Sequence, residues 1–291
     1  MIIIRLKGGM GNQMFQYALG RSLSARLDCP LKLDLSALLD RSKKDFVHRD
    51  YDLHIFNSRE DFLVSPAILR KLYLTRSSKV TRFMKRQATR GRRHWKEPHF
   101  HLVPEILSQP TTDTVYEGWW QSARYFSEIS EQIREEFSFH NELLPASAAV
   151  MDRIRASNSV CLNVRRTDFL KVDTLNTTNK DYFLRSVRYI SERVENPTFF
   201  VFSDDMAWCE QHLQLPHETV FVHHDLKGEK FGNYHRLMRA CRHFIIPNSS
   251  FAWWAVWLSD APDKIVIAPR NWFNDPSIDT TDLVPESWVR L

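Results

Sequence analysis

The chain has 291 residues, of which 43% are hydrophobic and 26% are charged, and its formal net charge is +5. This composition excludes a disordered protein and predicts a globular chain with one large core or two modest ones. The first apolar run ends at Arg5 and is too short for a secretory signal or a membrane span, so a soluble cytoplasmic protein is expected.

The excess positive charge is concentrated between Arg70 and Lys96, a stretch that contains no Asp or Glu. Apolar residues recur there near helical spacing, which predicts one or two amphipathic helices with a basic face over residues 69–96. A solvated surface, an anionic membrane or acidic glycolipid contact, and nucleic-acid binding are the alternatives. No nucleic-acid motif accompanies the charge, so no nucleic-acid partner is expected. Peripheral contact with the inner membrane face through residues 70–96 is retained as a hypothesis.

Continuous apolar runs alternate with helical patterns along the chain. Strands are predicted at 1–6, 31–36, 159–165, 198–203, 243–247 and 264–269, and helices at 12–27, 181–194 and 232–241. Continuous apolar runs are typical of strands buried on both faces of a parallel sheet, so the pattern predicts an α/β fold. The segment from His140 to Ser147 is the best candidate boundary, which gives two domains at 1–147 and 148–291.

A glycine-rich segment, KGGMGNQMFQ, directly follows the first predicted strand. Gly9 and Gly11 let the backbone approach a ligand closely, and the amide end of the following helix favours an anion. Asn12 and Gln13 add amide groups suited to sugar hydroxyls or to a phosphate. The segment matches neither the phosphate-loop pattern nor the dinucleotide pattern. The alternative is a tight strand-to-helix connection with Asn12 as the N-cap.

Two adjacent arginines follow a buried strand in the sequence NVRRTDF. Arg165 and Arg166 stand at the carboxyl end of that strand, where α/β folds bind ligands, and a guanidinium group suits the oxygens of a diphosphate. Asp168 is placed to orient one of these arginines or to act elsewhere in the site. The alternative is an ion pair on the surface.

Two further strands also end in polar residues. Ser203, Asp204 and Asp205 follow one strand, and their carboxylates suit a metal site, an acid/base pair, acceptance from a guanine edge or helix N-capping. Ser249 and Ser250 begin a strongly apolar helix, whose N-terminus would form a second phosphate-binding element.

The blocks GGMGNQMFQYALG, YEGWWQSARYF, NVRRTDF, FVFSDD and NSSFAWWAVWL, in this order, resemble those of glycosyltransferase family 11, the α-1,2-fucosyltransferases. The resemblance implies a GT-B-like α/β architecture with two Rossmann-like lobes facing a central cleft. The acceptor would lie largely on the N-terminal lobe and GDP-fucose on the C-terminal lobe.

The reaction implied by the resemblance is inverting transfer of fucose from GDP-β-L-fucose to O2 of a terminal galactose, with neither a metal nor another cofactor. The partners implied are GDP-fucose and a galactose-terminated glycan. A GDP-sugar transferase with a different donor or linkage, and a GDP-sugar-binding protein without turnover, are the alternatives.

The resemblance also implies roles for individual residues. Arg165 falls where the family's wider group holds the donor diphosphate, and Asp204 falls at a carboxylate that contacts guanine. The expected donor-binding residues are Gly9, Gly11, Asn12, Gln13, Asn163, Arg165, Arg166, Ser203, Asp204, Asn248, Ser249, Ser250 and Phe251. Asn163 replaces the His of the group's usual HxRR pattern, and asparagine cannot titrate.

The expected catalytic residues are Arg165, Asp168 and Asn12. Asp168 is the first candidate for a general base that accepts the proton of the acceptor hydroxyl, followed by Asp34 and Glu117. No residue is expected to hold a metal ion.

Overall fold

The computed structural model of the chain describes residues 1–40, 48–68 and 90–291. Contacts between residues divide it into two units. The first contains Met1–His140 with Asp279–Leu283, and the second contains Asn141–Ile278 with Val284–Leu291. Within the described ranges, no helix has both the length and the apolar character that crossing a membrane requires.

The first unit is built on a four-stranded parallel sheet. Its elements are β1 (Ile2–Arg5), α1 (Met10–Arg26), β2 (Leu31–Asp34), β3 (Arg93–Lys96), α2 (Pro104–Ser108), β4 (Thr114–Glu117) and α3 (Ser130–Glu136). The strand order is β2-β1-β4-β3, and every pair is parallel. The chain leaves β1 toward β2 on one side, while β4 lies on the other side of β1. The connections therefore reverse direction between β1 and β4, which is a topological switch point.

Helix α1 packs so closely on this sheet that most of its residues are buried. Gly20 faces the sheet, and a Cβ atom added there would lie 2.5 Å from Cγ1 of Ile4 and 2.7 Å from Cδ1 of Leu31. The missing side chain thus allows the helix backbone to approach β1 and β2. This packing fixes where the helix begins relative to the end of β1.

The helix predicted over residues 69–96 is wrong for its last part. Arg93–Lys96 forms strand β3, which pairs in parallel with β4 from Thr114 to Glu117. Pairing of these four residues with β4 outweighs the helical spacing of the apolar residues. Gly91, at φ +75°, turns the chain just before the strand. Residues 69–89 lie outside the described residues.

The second unit has the strand order of a doubly wound fold. Its elements are α4 (Pro145–Ala156), β5 (Asn158–Val164), α5 (Lys180–Ser191), β6 (Pro197–Ser203), α6 (Met206–His212), β7 (Thr219–Phe221), α7 (Gly232–Arg239), β8 (His243–Ile245), α8 (Ser250–Leu258), β9 (Val266–Ala268) and β10 (Val289–Arg290). The sheet is parallel in the order β10-β9-β8-β5-β6-β7. Counted from β5, this is the 3-2-1-4-5-6 order of the Rossmann fold, with its switch point between β5 and β8. The predicted α/β class with parallel sheets is confirmed.

Helix α5 shows how the core of the second unit forms. Asn179 caps it by accepting a hydrogen bond of 2.9 Å from the backbone N–H of Tyr182. Phe183, Val187 and Ile190 lie on one face of this helix and pack in a core that includes residues of β5 and β6. In α8, Trp253 and Trp254 are fully buried, whereas Trp257 is only partly buried.

The chain returns from the second unit to the first near its C-terminus. In the returning segment Asp279–Leu283, Asp282 accepts hydrogen bonds from the backbone N–H of Leu102 at 2.9 Å and from the guanidinium of Arg124 at 2.8 Å. The sequence did not indicate this return. The main division, after His140, lies within the segment proposed as a boundary but before residue 147, because α4 belongs entirely to the second unit.

Candidate functional site

The sequence motifs of the second unit meet at one edge of its sheet. Arg165 follows the end of β5, and Ser249 follows β8, which pairs with β5 in parallel. Parallel neighbours end at the same edge, so these residues flank the switch point. Crevices at such switch points are the common ligand sites of open α/β sheets.

Arg165 is held by two carboxylates. Asp168 accepts from its Nε at 3.0 Å and from its Nη2 at 2.8 Å, and Asp204 lies 3.3 Å from Nε. The Arg165 side chain remains 30% exposed. The bidentate contact fixes the plane of the guanidinium group, which makes it a pre-oriented cation at the sheet edge.

Asp204 organises the turn that follows β5. Its carboxylate accepts the backbone N–H of Arg166 at 2.9 Å, the backbone N–H of Thr167 at 3.1 Å and the Thr167 hydroxyl. The Asp204 side chain is only 15% exposed. The residue expected to accept from guanine therefore holds the arginine turn in this structure.

Asp205, the neighbouring carboxylate, caps a helix. It accepts the backbone N–H of Trp208 at 3.2 Å, so the N-cap alternative is confirmed for this residue. It also pairs with Nε of Arg166 at 3.2 Å, and the Arg166 guanidinium lies 3.9 Å from the centre of the Trp208 ring. Ser203 supports the same turn by accepting the N–H of Asp205 at 2.9 Å. Arg166 is thus fixed against α6.

The opposite side of the switch point is the N-terminus of α8. Ser249 is its N-cap, and its hydroxyl accepts from the N–H of Ala252 at 3.5 Å. Asn248 anchors the preceding turn by donating to the carbonyls of Leu175 and Trp272, both at 2.9 Å. No acidic residue stands in the first turn, so the positive end of the helix dipole is not neutralised within α8.

The other residues expected near this edge are largely internal. Asn163 is 8% exposed and donates to the carbonyl of Phe202 at 3.1 Å. Phe251 packs against the ring of His235 at 4.9 Å between ring centres. Burial lowers the pKa of His235 to about 3, and nearby Arg239 acts in the same direction. His235 is therefore neutral at physiological pH.

The glycine-rich segment forms the corresponding edge of the first unit. Gly8 has φ +79°, and Gly9 caps α1, so the alternative with Asn12 as N-cap is wrong. Asn12 instead accepts from the side-chain amide of Gln121 at 2.7 Å. Gly11 lies in the first turn of the helix and is buried.

Gln13 supports this edge from inside. It is fully buried, donates to the carbonyls of Gly8 at 3.0 Å and Asp50 at 2.8 Å, and accepts the N–H of Asp52 at 3.0 Å. Gln13 was expected to contact the donor, but in the structure its side-chain amide holds the turn.

The two reserve candidates for the general base share a partner. Arg5 donates from Nε to Asp34 at 2.8 Å and from Nη1 to Glu117 at 2.6 Å. Asp168, the first candidate, is paired with Arg165. All three carboxylates are therefore held by arginine side chains.

Three residues at this edge were not singled out from the sequence: Lys7, Glu97 and Trp119. Glu97 accepts the backbone N–H of Trp119 at 2.6 Å, and burial raises the pKa of its carboxyl group. The Lys7 ammonium lies 4.2 Å from the centre of the Trp119 ring. Burial lowers the pKa of Lys7, while neighbouring Glu117 and Glu97 oppose this effect. The YEGWWQ block was the signal that could have indicated Trp119.

Among residues 1–40, 48–68 and 90–291, no three His, Cys, Asp or Glu side chains are grouped so that they could hold a metal ion.

Known proteins resemble this chain in sequence. The sequence model described as Glycosyl transferase family 11 matches residues 1–291. An alpha-1,2-colitosyltransferase of Escherichia coli is 34% identical over 303 residues, which cover 100% of this chain and 98% of that protein. Galactoside alpha-(1,2)-fucosyltransferase 1 of Plecturocebus brunneus is 27% identical over 191 residues, which cover 61% of this chain and 52% of that protein.

Among solved structures, the fucosyltransferase NodZ from Bradyrhizobium matches with a TM-score of 0.52 and 13% sequence identity, covering 91% of this chain and 94% of that chain. NodZ alpha-1,6-fucosyltransferase co-crystallised with GDP matches with a TM-score of 0.53 at the same identity. At this identity the likeness shows the fold alone, which is of the GT-B type.

Proposed function

Because the chain belongs to glycosyltransferase family 11, we propose that it is an inverting α-1,2-fucosyltransferase, which moves fucose from GDP-β-L-fucose to O2 of a terminal galactose. The observation that carries this proposal is the pre-oriented guanidinium of Arg165 beside the N-terminus of α8, at the switch point of the second unit. A fixed cation and a ring of helix amides suit a diphosphate. The α-1,2 linkage in the names of both relatives supports the regiochemistry.

In the proposed reaction, the bond between the anomeric carbon and the β-phosphate oxygen breaks while galactose O2 forms the new bond on the opposite face. Negative charge builds up on the departing diphosphate. Arg165 and the amides at the start of α8 neutralise it, so the proposed transfer requires no divalent metal. We also expect the donor to contact Asn12, Ser249 and Ser250.

The proton of galactose O2 must leave during this step. Asp168 is ion-paired with Arg165, and both Asp34 and Glu117 are ion-paired with Arg5. We propose that GDP departs early, so that galactose O2 attacks a strongly electrophilic anomeric carbon and becomes an acidic oxonium. Its proton passes to the departing β-phosphate oxygen or to water, so a strong base is not needed. In this mechanism Asp168 acts mainly as the partner that orients Arg165.

A second donor sugar is favoured by one observation, the 34% identity to an alpha-1,2-colitosyltransferase over the whole chain. Colitose is fucose without one ring hydroxyl group. A site that hydrogen-bonds that hydroxyl would reject colitose strongly, whereas a site that packs against the position would discriminate weakly. The two sugars therefore have to be compared directly.

The test is incubation of the purified protein with GDP-fucose, GDP-colitose or GDP-mannose and a terminal β-galactoside, with linkage analysis of the product by NMR. We expect an α-1,2-fucosyl galactoside, formed equally well with and without EDTA. Faster product formation from GDP-colitose than from GDP-fucose would identify colitose as the transferred sugar. Binding of GDP-sugars without product would refute the enzyme assignment, and loss of activity with EDTA would refute metal independence.

A further inference from the structure

The first unit has a switch point of its own, and the residues there that would hold the acceptor have not been named above. Lys7 and Gly8 follow the end of β1, and Gly118 and Trp119 follow the end of β4, its parallel neighbour. The two segments are joined by Gln16, which donates to the carbonyls of Lys7 at 3.2 Å and Gly118 at 3.1 Å. Open α/β sheets bind ligands in the crevice at a switch point, so a ligand of the first unit would bind at this edge.

Trp119 is held at this edge by an unusual backbone arrangement. The carboxylate of Glu97 accepts the N–H of Trp119 at 2.6 Å and that of Trp120 at 2.9 Å. Trp120 adopts a left-handed conformation with φ 58°, and its ring is fully buried, whereas the Trp119 side chain is only partly buried. The buried ring anchors the turn, and the turn presents the neighbouring indole to solvent. A non-glycine residue in this backbone region is tolerated only where the surroundings enforce it.

The Trp119 ring lies next to Lys7 and Gly8. The Lys7 ammonium rests 4.2 Å from the ring centre, and it is attracted by the carboxylates of Glu117 and Glu97. Gly8 contacts the ring edge so closely that an added Cβ would lie 3.1 Å from Cζ3. An aromatic surface beside a few convergent hydrogen-bond donors is the usual composition of a small-molecule site.

The charges at this edge favour a neutral ligand. Arg5 and Lys7 are positive, while Asp34, Glu97 and Glu117 are carboxylates. Arg5 is already paired with two of those carboxylates. An acidic sugar would face the carboxylates without a compensating surplus of cations, whereas a neutral hexose can donate its hydroxyls to them and accept from Lys7.

We propose that Trp119 and Lys7 form the acceptor subsite, in which the apolar C–H face of a neutral terminal galactose stacks on the exposed part of the indole and a sugar hydroxyl accepts a hydrogen bond from the Lys7 ammonium. Glu97 is a positioning residue that fixes the peptide of Trp119. This inference rests on the proposed function, since it assumes that the chain transfers a sugar to a galactoside.

The experiment compares the Trp119→Leu and Lys7→Met variants with wild type in steady-state kinetics, varying GDP-fucose and a β-galactoside separately. GDP release in the absence of acceptor measures donor hydrolysis. Trp95→Leu is the matched control, because Trp95 is also a partly buried tryptophan of the first unit but stacks on Tyr116. Circular dichroism and thermal melting report whether each variant folds, and Trp119→Phe, which keeps an aromatic ring, is made in case Leu is not tolerated.

We expect the acceptor KM to rise about tenfold or more in Trp119→Leu and less in Trp119→Phe, with the donor KM and donor hydrolysis within about twofold of wild type. Lys7→Met should raise the acceptor KM while Trp95→Leu leaves it unchanged. An acceptor KM within about twofold of wild type in folded Trp119→Leu would overturn the inference, as would parallel loss of donor hydrolysis. If wild type transfers no sugar to any galactoside, the proposed function fails instead.

Discussion

Replacing Arg165 by Ala is expected to raise the activation barrier by about 3–4 kcal/mol, since it removes a fixed donor aimed at developing charge. The guanidinium is held by two hydrogen bonds to Asp168, at 3.0 and 2.8 Å, so it is oriented before substrate arrives. Replacing Asp168 by Asn keeps the guanidinium but removes the charge that orients it. Hydrogen bonds to charged groups contribute about 1.5–3 kcal/mol each, and because Asn retains one acceptor we expect the low end of that range for Asp168→Asn.

The two substitutions together decide how Asp168 acts. If its only role is to orient Arg165, the Arg165→Ala/Asp168→Asn double variant should be no slower than Arg165→Ala alone. If Asp168 is instead the general base, its loss should slow the reaction further even when Arg165 is absent. A coupling energy equal to the whole effect of Asp168→Asn is the outcome that we expect.

The assay is kcat/KM for GDP-fucose at a fixed concentration of β-galactoside, measured for wild type, both single variants and the double variant across pH. Arg165→Ala with nearly normal kcat/KM would refute the role of Arg165 in neutralising the leaving group. Additive effects, together with loss of the acidic limb of the pH profile in Asp168→Asn, would refute the orienting role and restore Asp168 as the base.

Three further predictions concern stability. Glu136→Ala should lower the free energy of unfolding by about 3–5 kcal/mol in urea titrations, because the buried Glu136 carboxylate accepts from Tyr17 at 2.6 Å and from Nη2 of buried Arg21 at 2.9 Å. Gly8→Ala should cost about 1–2 kcal/mol, because φ is +79° and the new Cβ would meet its neighbours, whereas Gly9→Ala, with φ −76° and nothing within 4 Å of the new Cβ, should cost far less. The pKa of His235 is lowered by burial to about 3, so the unfolded chain binds more protons than the folded one between about pH 3 and 6.5, and the free energy of unfolding should fall as pH falls through this window.

Each of these stability predictions has its own control. For Glu136, a loss below about 1 kcal/mol would mean that the buried ion pair adds little to stability. For the glycines, equal melting temperatures of the two variants would contradict the strain at Gly8. For His235, the measurement is the difference in unfolding free energy between wild type and His235→Leu from pH 7 to pH 4. A wild-type curve that runs parallel to the variant's would show that His235 does not titrate differently on unfolding.

Most strands could be predicted from the sequence because burial on both faces of a parallel sheet favours apolar residues at consecutive positions. All six predicted strands are present as β1, β2, β5, β6, β8 and β9. Strand β3 was missed because it is a largely exposed edge strand with the polar sequence RHWK, and its pairing with β4 is not visible locally. Strand β7 was missed because it is an edge strand whose three residues are only partly buried, and β10 because it has only two residues. Strand β4 was missed although it is buried, because its apolar residues, Val115 and Tyr116, form a run of only two.

The candidate site could be predicted as a set of motifs but not as a set of contacts. The positions of Arg165 and Ser249 after the carboxyl ends of strands could be predicted, whereas the strand order that places them at a switch point could not. The internal roles of Asp204 and Gln13 depend on which backbone groups lack partners, and that becomes clear only when the turns are folded. Glu97 was hidden because it stands in a run dominated by basic residues, while its partners are more than twenty residues away in sequence.

The return of Asp279–Leu283 to the first unit means that no single cut of the polypeptide yields two complete halves. A fragment that ends at His140 would lack the Asp282 carboxylate that Leu102 and Arg124 use. A fragment that begins at Asn141 would carry that segment without its binding surface. Since β10 lies beyond the segment, trimming the C-terminus to remove it would also remove the outermost strand of the second sheet. Each unit therefore contains residues from both sides of the other unit's sequence or lies between them, and we expect neither unit to be complete when it is expressed alone.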